Sequence, residues 1–138
     1  MNIDGNNPLY WKKSAKIHVA LKDFDQASFA FKQAVDLGNY ELDTWLKWAK
    51  VAQKNGDLDG ALQILKQGKE FYPKNLKILY MSVGFLLLID DRINARITML
   101  DALRLDKKTK KIHLFQNQFP QFWNSEWLKT IVTDSKKA

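Results

Sequence analysis

The stretch WLKWAKVAQKNGDLDGALQILKQG, residues 45–68, carries the strongest structural signal in the sequence. A large apolar residue, Trp45, precedes the small Ala49 by four positions, and after a polar segment at 55–57 the small Ala61 precedes the large Leu65 by four. Residues four apart lie on one face of an α-helix, so each half predicts a helix with a single packing face. The short polar segment between the halves predicts that the two helices form an antiparallel pair.

The same arrangement of large and small residues recurs at steps of 34 positions on both sides of this stretch. The matching columns hold Trp11, Trp45 and Leu79; Ala15, Ala49 and Val83; Ala27, Ala61 and Ala95; Phe31, Leu65 and Met99; and Ala34, Gly68 and Ala102. Small side chains let two helices approach closely, and a period of this length is typical of stacked helical repeats. The sequence therefore predicts three units, 8–41, 42–75 and 76–109, after a disordered or extended segment at 1–7.

With these columns the units resemble tetratricopeptide repeats, whose 34-residue pattern places tryptophan, glycine, alanine and proline at set positions. The middle unit carries the most matches: Trp45, Ala49, Gly56, Ala61, Leu65, Gly68 and Pro73. The resemblance implies an all-α fold of antiparallel helix-pair repeats, an α-solenoid coiled into a right-handed superhelix. It also implies that the first helix of each pair lines a concave groove that binds a segment of another protein. Other helical-pair repeats are the structural alternative.

Residues 110–138 come after the third unit and do not form a fourth. Trp123, Trp127 and Ile131 are spaced by four, and Pro120 suits the first turn of a helix, so we predict one helix opening near Pro120. Because repeat arrays need a terminal cap, this region is interpreted as an aromatic capping helix with a basic tail. Aromatic residues are also typical of interfaces. The alternative is therefore a second docking surface made of Phe119, Phe122, Trp123 and Trp127.

The composition of the 138-residue chain favours a single globular domain without catalytic chemistry, since 46% of its residues are apolar and 27% charged. It has no cysteine, and its two histidines, His18 and His113, lack the carboxylate cluster that a metal site would need. We expect no enzyme activity, no cofactor and no metal. The N-terminal residues lack a secretory signal, and the longest apolar run, 85–89, is far below the ~20 residues of a membrane span. A cytoplasmic protein is therefore expected.

Lysines dominate the predicted groove face. The predicted partner-binding residues are Leu9, Lys12, Lys13, Lys16, Lys47, Lys50, Lys54, Lys77, Tyr80 and Met81. Lysines three or four apart on one helix face repel each other by a few tenths of a kcal/mol, which favours a compensating anion. Tyr80 and Met81 add an apolar half. We therefore predict a protein or peptide partner with acidic and hydrophobic residues, and the structural alternative is a solvated basic face.

Family members that bind the acidic tails of heat-shock chaperones use five clamp positions. Only Lys12 and Lys77 match that clamp here, because Lys16, Lys47 and Met81 replace asparagine, asparagine and arginine. The resemblance therefore does not imply that kind of clamp.

The net charge of +7 leaves two alternative functions open, because +5 of it falls in residues 107–138. Lys107, Lys108, Lys110 and Lys111, with His113 and Phe115 nearby, could contact phosphates and stack on bases of a nucleic acid. Exposed repeat edges or the aromatic tail would instead serve self-association into a homo-oligomer. A protein partner in the groove remains the main prediction.

Overall fold

The computed structural model describes residues 6–136, and their helices match the predicted period. The paired helices are α1 (Pro8–Ala20), α2 (Phe24–Asp36), α3 (Leu42–Lys54), α4 (Leu58–Phe71), α5 (Leu76–Leu88) and α6 (Arg92–Leu105). The first helices of the pairs begin 34 residues apart, as do the second helices. Three antiparallel pairs are thereby confirmed. The described residues form no strand, and none of their helices is long and apolar enough to cross a bilayer. Most of the predicted extended segment at 1–7 lies outside the described residues.

The chain divides into two compact units, of which the first is Met1–Phe71. In this unit α1 packs on α2, α2 on α3 and α3 on α4. The small-residue columns lie at the contacts, since Ala15, Ala27, Ala49 and Ala61 are all fully buried. Small side chains at these positions are therefore what lets the helices approach one another.

One aspartate per repeat begins the second helix of each pair. Asp23, Asp57 and Asp91, which are 34 residues apart, each accept a hydrogen bond through Oδ1 from the backbone N–H three positions later, at 3.3, 2.8 and 3.1 Å. Such a side chain satisfies one of the N–H groups that the first turn of a helix leaves without a partner. These caps set where α2, α4 and α6 begin.

The turns inside the pairs use a left-handed backbone at one fixed position. Gly56 has φ +79° there, as expected for a glycine at a helix end, and its equivalents Lys22 and Asp90 have φ 59° and 60°. The left-handed conformation costs a residue with a Cβ roughly 1–2 kcal/mol. The first and third repeats therefore accept a backbone strain that the second avoids.

The second unit, Tyr72–Ala138, contains the third helix pair and three further elements. These are α7 (His113–Gln118), a 3₁₀ turn (Pro120–Phe122) and α8 (Glu126–Lys136). Helix α7 packs on α5, and α8 packs on α6.

The single helix predicted to open near Pro120 is wrong. Pro120 begins a turn of three residues, and α8 starts only at Glu126, so Trp123 lies outside any helix. The break has a local cause, because the Ser125 hydroxyl donates to the Phe122 carbonyl at 2.7 Å and accepts from the Leu128 N–H at 3.1 Å. Ser125 thus caps α8.

Helix α5 is covered by aromatic residues of the C-terminal segment. Phe115 and Phe119 are buried, and Phe119 meets Phe85 edge to face with ring centroids 5.8 Å apart. A Cβ added at Gly84 would overlap the ring of Phe119. The almost entirely apolar α5 is therefore a core helix of this unit, with its interior side supplied by residues close to α7.

A buried carboxylate, Asp106, ties the loop after α6 to α5. It accepts hydrogen bonds from Tyr80 Oη and Thr109 Oγ1, both at 2.5 Å, and from the Lys111 backbone N–H at 2.6 Å. Burial acts to raise the pKa of Asp106, but these bonds favour the ionised form and hold its pKa below the ordinary value. For Tyr80, burial and the neighbouring carboxylate raise the hydroxyl pKa. The carboxylate stays charged and the tyrosine stays protonated at neutral pH.

Candidate functional site

A groove of about 450 Å³ opens in the first unit and brings together most of the predicted lysines. It is lined by Leu9, Lys12, Lys13, Lys16 and Val19 of α1, Phe31 of α2, and Asp43, Thr44, Lys47, Lys50, Val51 and Lys54 of α3. Of the ten residues predicted to bind a partner, the seven that belong to this unit all line it. Nothing in the structure tests whether they bind one.

The repeat explains why the lysines meet. Lys13 and Lys16 on α1 are equivalent to Lys47 and Lys50 on α3, 34 residues later. On each helix the lining residues are three or four positions apart, which places them on one face. Two successive first helices therefore present the same basic face to the same groove.

The floor of the groove is apolar. Phe31 and Val51 are buried, and so is Thr44, whose hydroxyl donates to Asn39 Oδ1 at 3.0 Å. That bond satisfies the hydroxyl, which is the polar group of this floor. The groove can therefore offer hydrophobic contact below a rim of ammonium groups.

Two rim lysines are neutralised within the chain. Lys12 Nζ lies 2.7 Å from Glu41 Oε2, and Lys47 Nζ lies 3.1 Å from Asp43 Oδ2. Exposed pairs of this kind contribute about 0–1 kcal/mol, so either carboxylate could be exchanged for one from a ligand.

The other rim lysines keep their charge available. Among residues 6–136, Lys13, Lys16 and Lys50 form no ion pair within 4 Å. Lys54 Nζ lies 5.8 Å from the centroid of the Phe24 ring. Six lysines against one aspartate leave the groove strongly positive.

The remaining three predicted groove residues belong to the second unit. Lys77 is exposed on α5, but Tyr80 and Met81 are only 1% and 4% exposed. The prediction that these two face a partner is wrong, because Phe115 packs against Tyr80 and Asp106 binds its hydroxyl.

Sequence reasoning missed four lining residues. Phe31 was missed because it belongs to a second helix, whereas the resemblance directs attention to first helices. Thr44 and Val51 gave no charge signal. Asp43 could have been found, since its spacing of four from Lys47 is typical of an ion pair on a helix.

The predicted second interface is partly buried. Phe119 is 2% exposed and fills the space above Gly84, so its assignment to a docking surface is wrong. Phe122, Trp123 and Trp127 are half-buried or exposed. Lys107, Lys108, Lys110 and Lys111 are exposed, so the nucleic-acid alternative stays a prediction.

A curated relative shares sequence with part of the chain, although no family model matches it. It is the BBSome complex member BBS4 of Bos taurus, 35% identical over an alignment of 73 positions that covers 49% of this chain. The matched part is 14% of that protein, so this chain spans only a small share of its length.

Solved structures with the same arrangement of helices are tetratricopeptide-repeat proteins. The type III secretion chaperone SycD of Yersinia enterocolitica, in complex with a peptide of the translocator YopD, has a TM-score of 0.69 at 15% identity and covers 90% of this chain and 91% of its own. The first repeat domain of Spaghetti (RPAP3), bound to the HSP90 peptide SRMEEVD, has a TM-score of 0.67 at 12% identity, with 88% and 94% covered. The chain has the tetratricopeptide-repeat fold.

Proposed function

We propose that this tetratricopeptide-repeat chain is a non-catalytic protein-interaction module, an adaptor, scaffold or chaperone-like protein of the cytoplasm. Its ligand is a peptide or partner segment with acidic and hydrophobic residues, held in the groove between α1 and α3. The observation that carries the proposal is a set of three lysines, without an ion pair in the described part of the chain, above an apolar floor that includes Phe31 and Val51. The three are Lys13, Lys16 and Lys50.

The charge of the groove favours a ligand with carboxylates. Ammonium groups on one helix face repel each other, and a carboxylate placed among them relieves that cost as well as forming its own ion pairs. Each exposed pair contributes about 0–1 kcal/mol and weakens with salt, so several are needed. Glu41 and Asp43 already pair with Lys12 and Lys47, and a ligand would repeat this contact at the lysines that lack it.

The apolar floor supplies the second part of the affinity. Burying apolar surface contributes roughly 25 cal/mol per Å², so one leucine-sized side chain on the floor adds about 2 kcal/mol. A purely acidic segment would leave this surface wet. A segment that combines carboxylates with an apolar anchor uses both features.

The solved structures support a peptide ligand in general terms. Two of them hold peptides, and SRMEEVD contains two glutamates and one aspartate. The clamp implied by the family resemblance is incomplete here, because Met81 is buried in addition to the mismatches at Lys16 and Lys47. Recognition in this chain would therefore depend on the lysines shared by α1 and α3.

The test reverses the charge of the groove and compares it with an equal change elsewhere. One variant carries Lys13→Glu, Lys16→Glu and Lys50→Glu. The control carries Lys32→Glu, Lys66→Glu and Lys69→Glu, three exposed lysines that do not line the groove. Both are used to capture partners from native lysate for mass spectrometry, and to bind fluorescent SRMEEVD and its neutral analogue SRMQQVN.

We expect the groove variant to lose the partners that the wild type and the control share. A partner captured equally by all three proteins would refute the proposal. Capture that fails only in the control would refute it as well.

A further inference from the structure

A second face of α1, distinct from the groove, carries an uncharged stripe. The stripe consists of Tyr10, Ser14, Ile17 and Leu21, spaced by three or four residues along α1 and its C-terminal cap. Its large members are open to solvent, since Tyr10 is 37% exposed, Ile17 59% and Leu21 70%. Single exposed apolar residues are ordinary, but a continuous row on one helix face marks an interaction surface.

The same chain shows what covers this face in the next repeat. The equivalent residues, 34 positions later, are Thr44, Trp48, Val51 and Asn55 of α3 and its cap. Thr44, Trp48 and Val51 are at most 9% exposed. The equivalent face of α3 is therefore closed, where that of α1 is open.

The element that closes it is α2, the second helix of the preceding pair. Trp48 Nε1 donates to Ser28 Oγ at 3.0 Å, and Asn55 Nδ2 donates to Asp25 Oδ1 at 2.7 Å. In the repeat architecture, this face of a first helix is thus the docking face for a helix that presents small and acidic residues.

The open stripe is more apolar than its closed equivalent. Tyr10, Ile17 and Leu21 stand where α3 and its cap have Thr44, Val51 and Asn55. Aromatic contacts extend the surface onto α2, because Trp11 meets Tyr10 and Phe29 edge to face, with centroids 5.2 and 5.7 Å apart. Phe29 itself is 50% exposed.

We infer that the α1 stripe docks an amphipathic helix of a partner protein, one that presents the kind of surface α2 presents to α3. The inference goes beyond the proposed function, because it uses a different face of α1 and a helical ligand.

Charge decides between a partner and a second copy of this chain. Helix α1 contains three lysines and no acidic residue, so two α1 helices packed face to face would bring like charges together. Helix α2 of a second copy is already covered by α3. A foreign helix flanked by carboxylates meets neither obstacle.

The probe is a fluorescein-labelled, helix-constrained peptide with the chain's own α2 sequence, residues 23–37, titrated with the full chain by fluorescence anisotropy. The test variant is Ile17→Asp with Leu21→Asp. The control is Ile93→Asp with Ile97→Asp, two similarly exposed residues on α6. Circular dichroism melting checks that both variants fold, and a Lys16→Glu, Lys50→Glu variant separates the stripe from the groove.

We expect saturable binding to the wild type, to the α6 control and to the lysine variant, and a loss of about tenfold or more in the stripe variant, equal to roughly 1.4 kcal/mol. Equal binding to the stripe variant, or none to the wild type at about 1 mM, would overturn the inference. Sedimentation that shows a dimer broken by the stripe variant would assign the stripe to a second copy and overturn it too. Because the lysine variant keeps the stripe, its failure to bind acidic peptides bears only on the proposed function.

Discussion

Replacing Asp106 with asparagine should destabilise the second unit without changing its shape. The carboxylate accepts three hydrogen bonds, from Tyr80, Thr109 and the backbone of Lys111, and it is only 5% exposed. An asparagine can accept with its single amide oxygen, but its NH₂ group then faces donors. At least one donor would be left buried without a partner.

The size of the effect depends on the charge of the acceptor. Hydrogen bonds to charged groups contribute about 1.5–3 kcal/mol each, and an unsatisfied buried donor costs about 1–3 kcal/mol. Asp106→Asn should therefore lower the free energy of unfolding by roughly 2–4 kcal/mol at pH 7. Tyr80→Phe removes one donor and keeps the ring, so it should cost less, about 1.5 kcal/mol.

The pH dependence gives the sharper test. The folded state holds the pKa of Asp106 below its ordinary value, so the ionised carboxylate stabilises the fold. That contribution is complete above the unfolded pKa of about 3.9 and is lost as the pH falls through the folded value. The difference in stability between wild type and Asp106→Asn should therefore be largest near neutral pH and shrink below about pH 4.

Urea denaturation monitored by circular dichroism at pH 7 and pH 3 measures this difference. Amide hydrogen exchange at Lys111 reports the same site directly, because its N–H is one of the three donors. A variant as stable as the wild type at pH 7 would refute the reasoning. A deficit of the same size at both pH values would show that the charge is not responsible.

Two further substitutions test backbone strain and close packing. Lys22→Gly should raise the free energy of unfolding by about 1 kcal/mol, because Lys22 has φ 59° at the position where the second repeat has Gly56; Lys22→Ala, which keeps the Cβ, should not, and thermal melting compares the two. Gly84→Ala should lower stability by about 1–3 kcal/mol, since the new Cβ overlaps the Phe119 ring. Urea denaturation would show it, and Phe119→Leu added to Gly84→Ala should recover part of the loss; a neutral Gly84→Ala would contradict the packing.

The paired helices could be predicted because their determinants repeat. Ala27 and Ala61 must be small wherever two helices touch, and Asp23 and Asp57 must begin a helix, so each repeat confirms the others. The groove could be predicted in part for the same reason, as Lys16 and Lys50 occupy equivalent places.

The segment after the third repeat has no such redundancy. The bond between Tyr80 and Asp106 joins residues 26 positions apart, and no local pattern marks it. The apparent stripe of Trp123 and Trp127 has helical spacing, yet Ser125 lies between them and starts the helix instead. Spacing of four alone could not distinguish a continuous helix from two elements with a cap between them.

The contact between Phe119 and Gly84 also restricts how this chain could grow. Repeat arrays lengthen when a segment is duplicated, provided that neighbouring copies are interchangeable. The third hairpin is not, since the second has Lys50 at the position of Gly84 and would place a side chain where the aromatic ring lies. The hairpin at residues 76–109 and the tail are therefore inherited together, and an insertion between them would separate the ring from its socket.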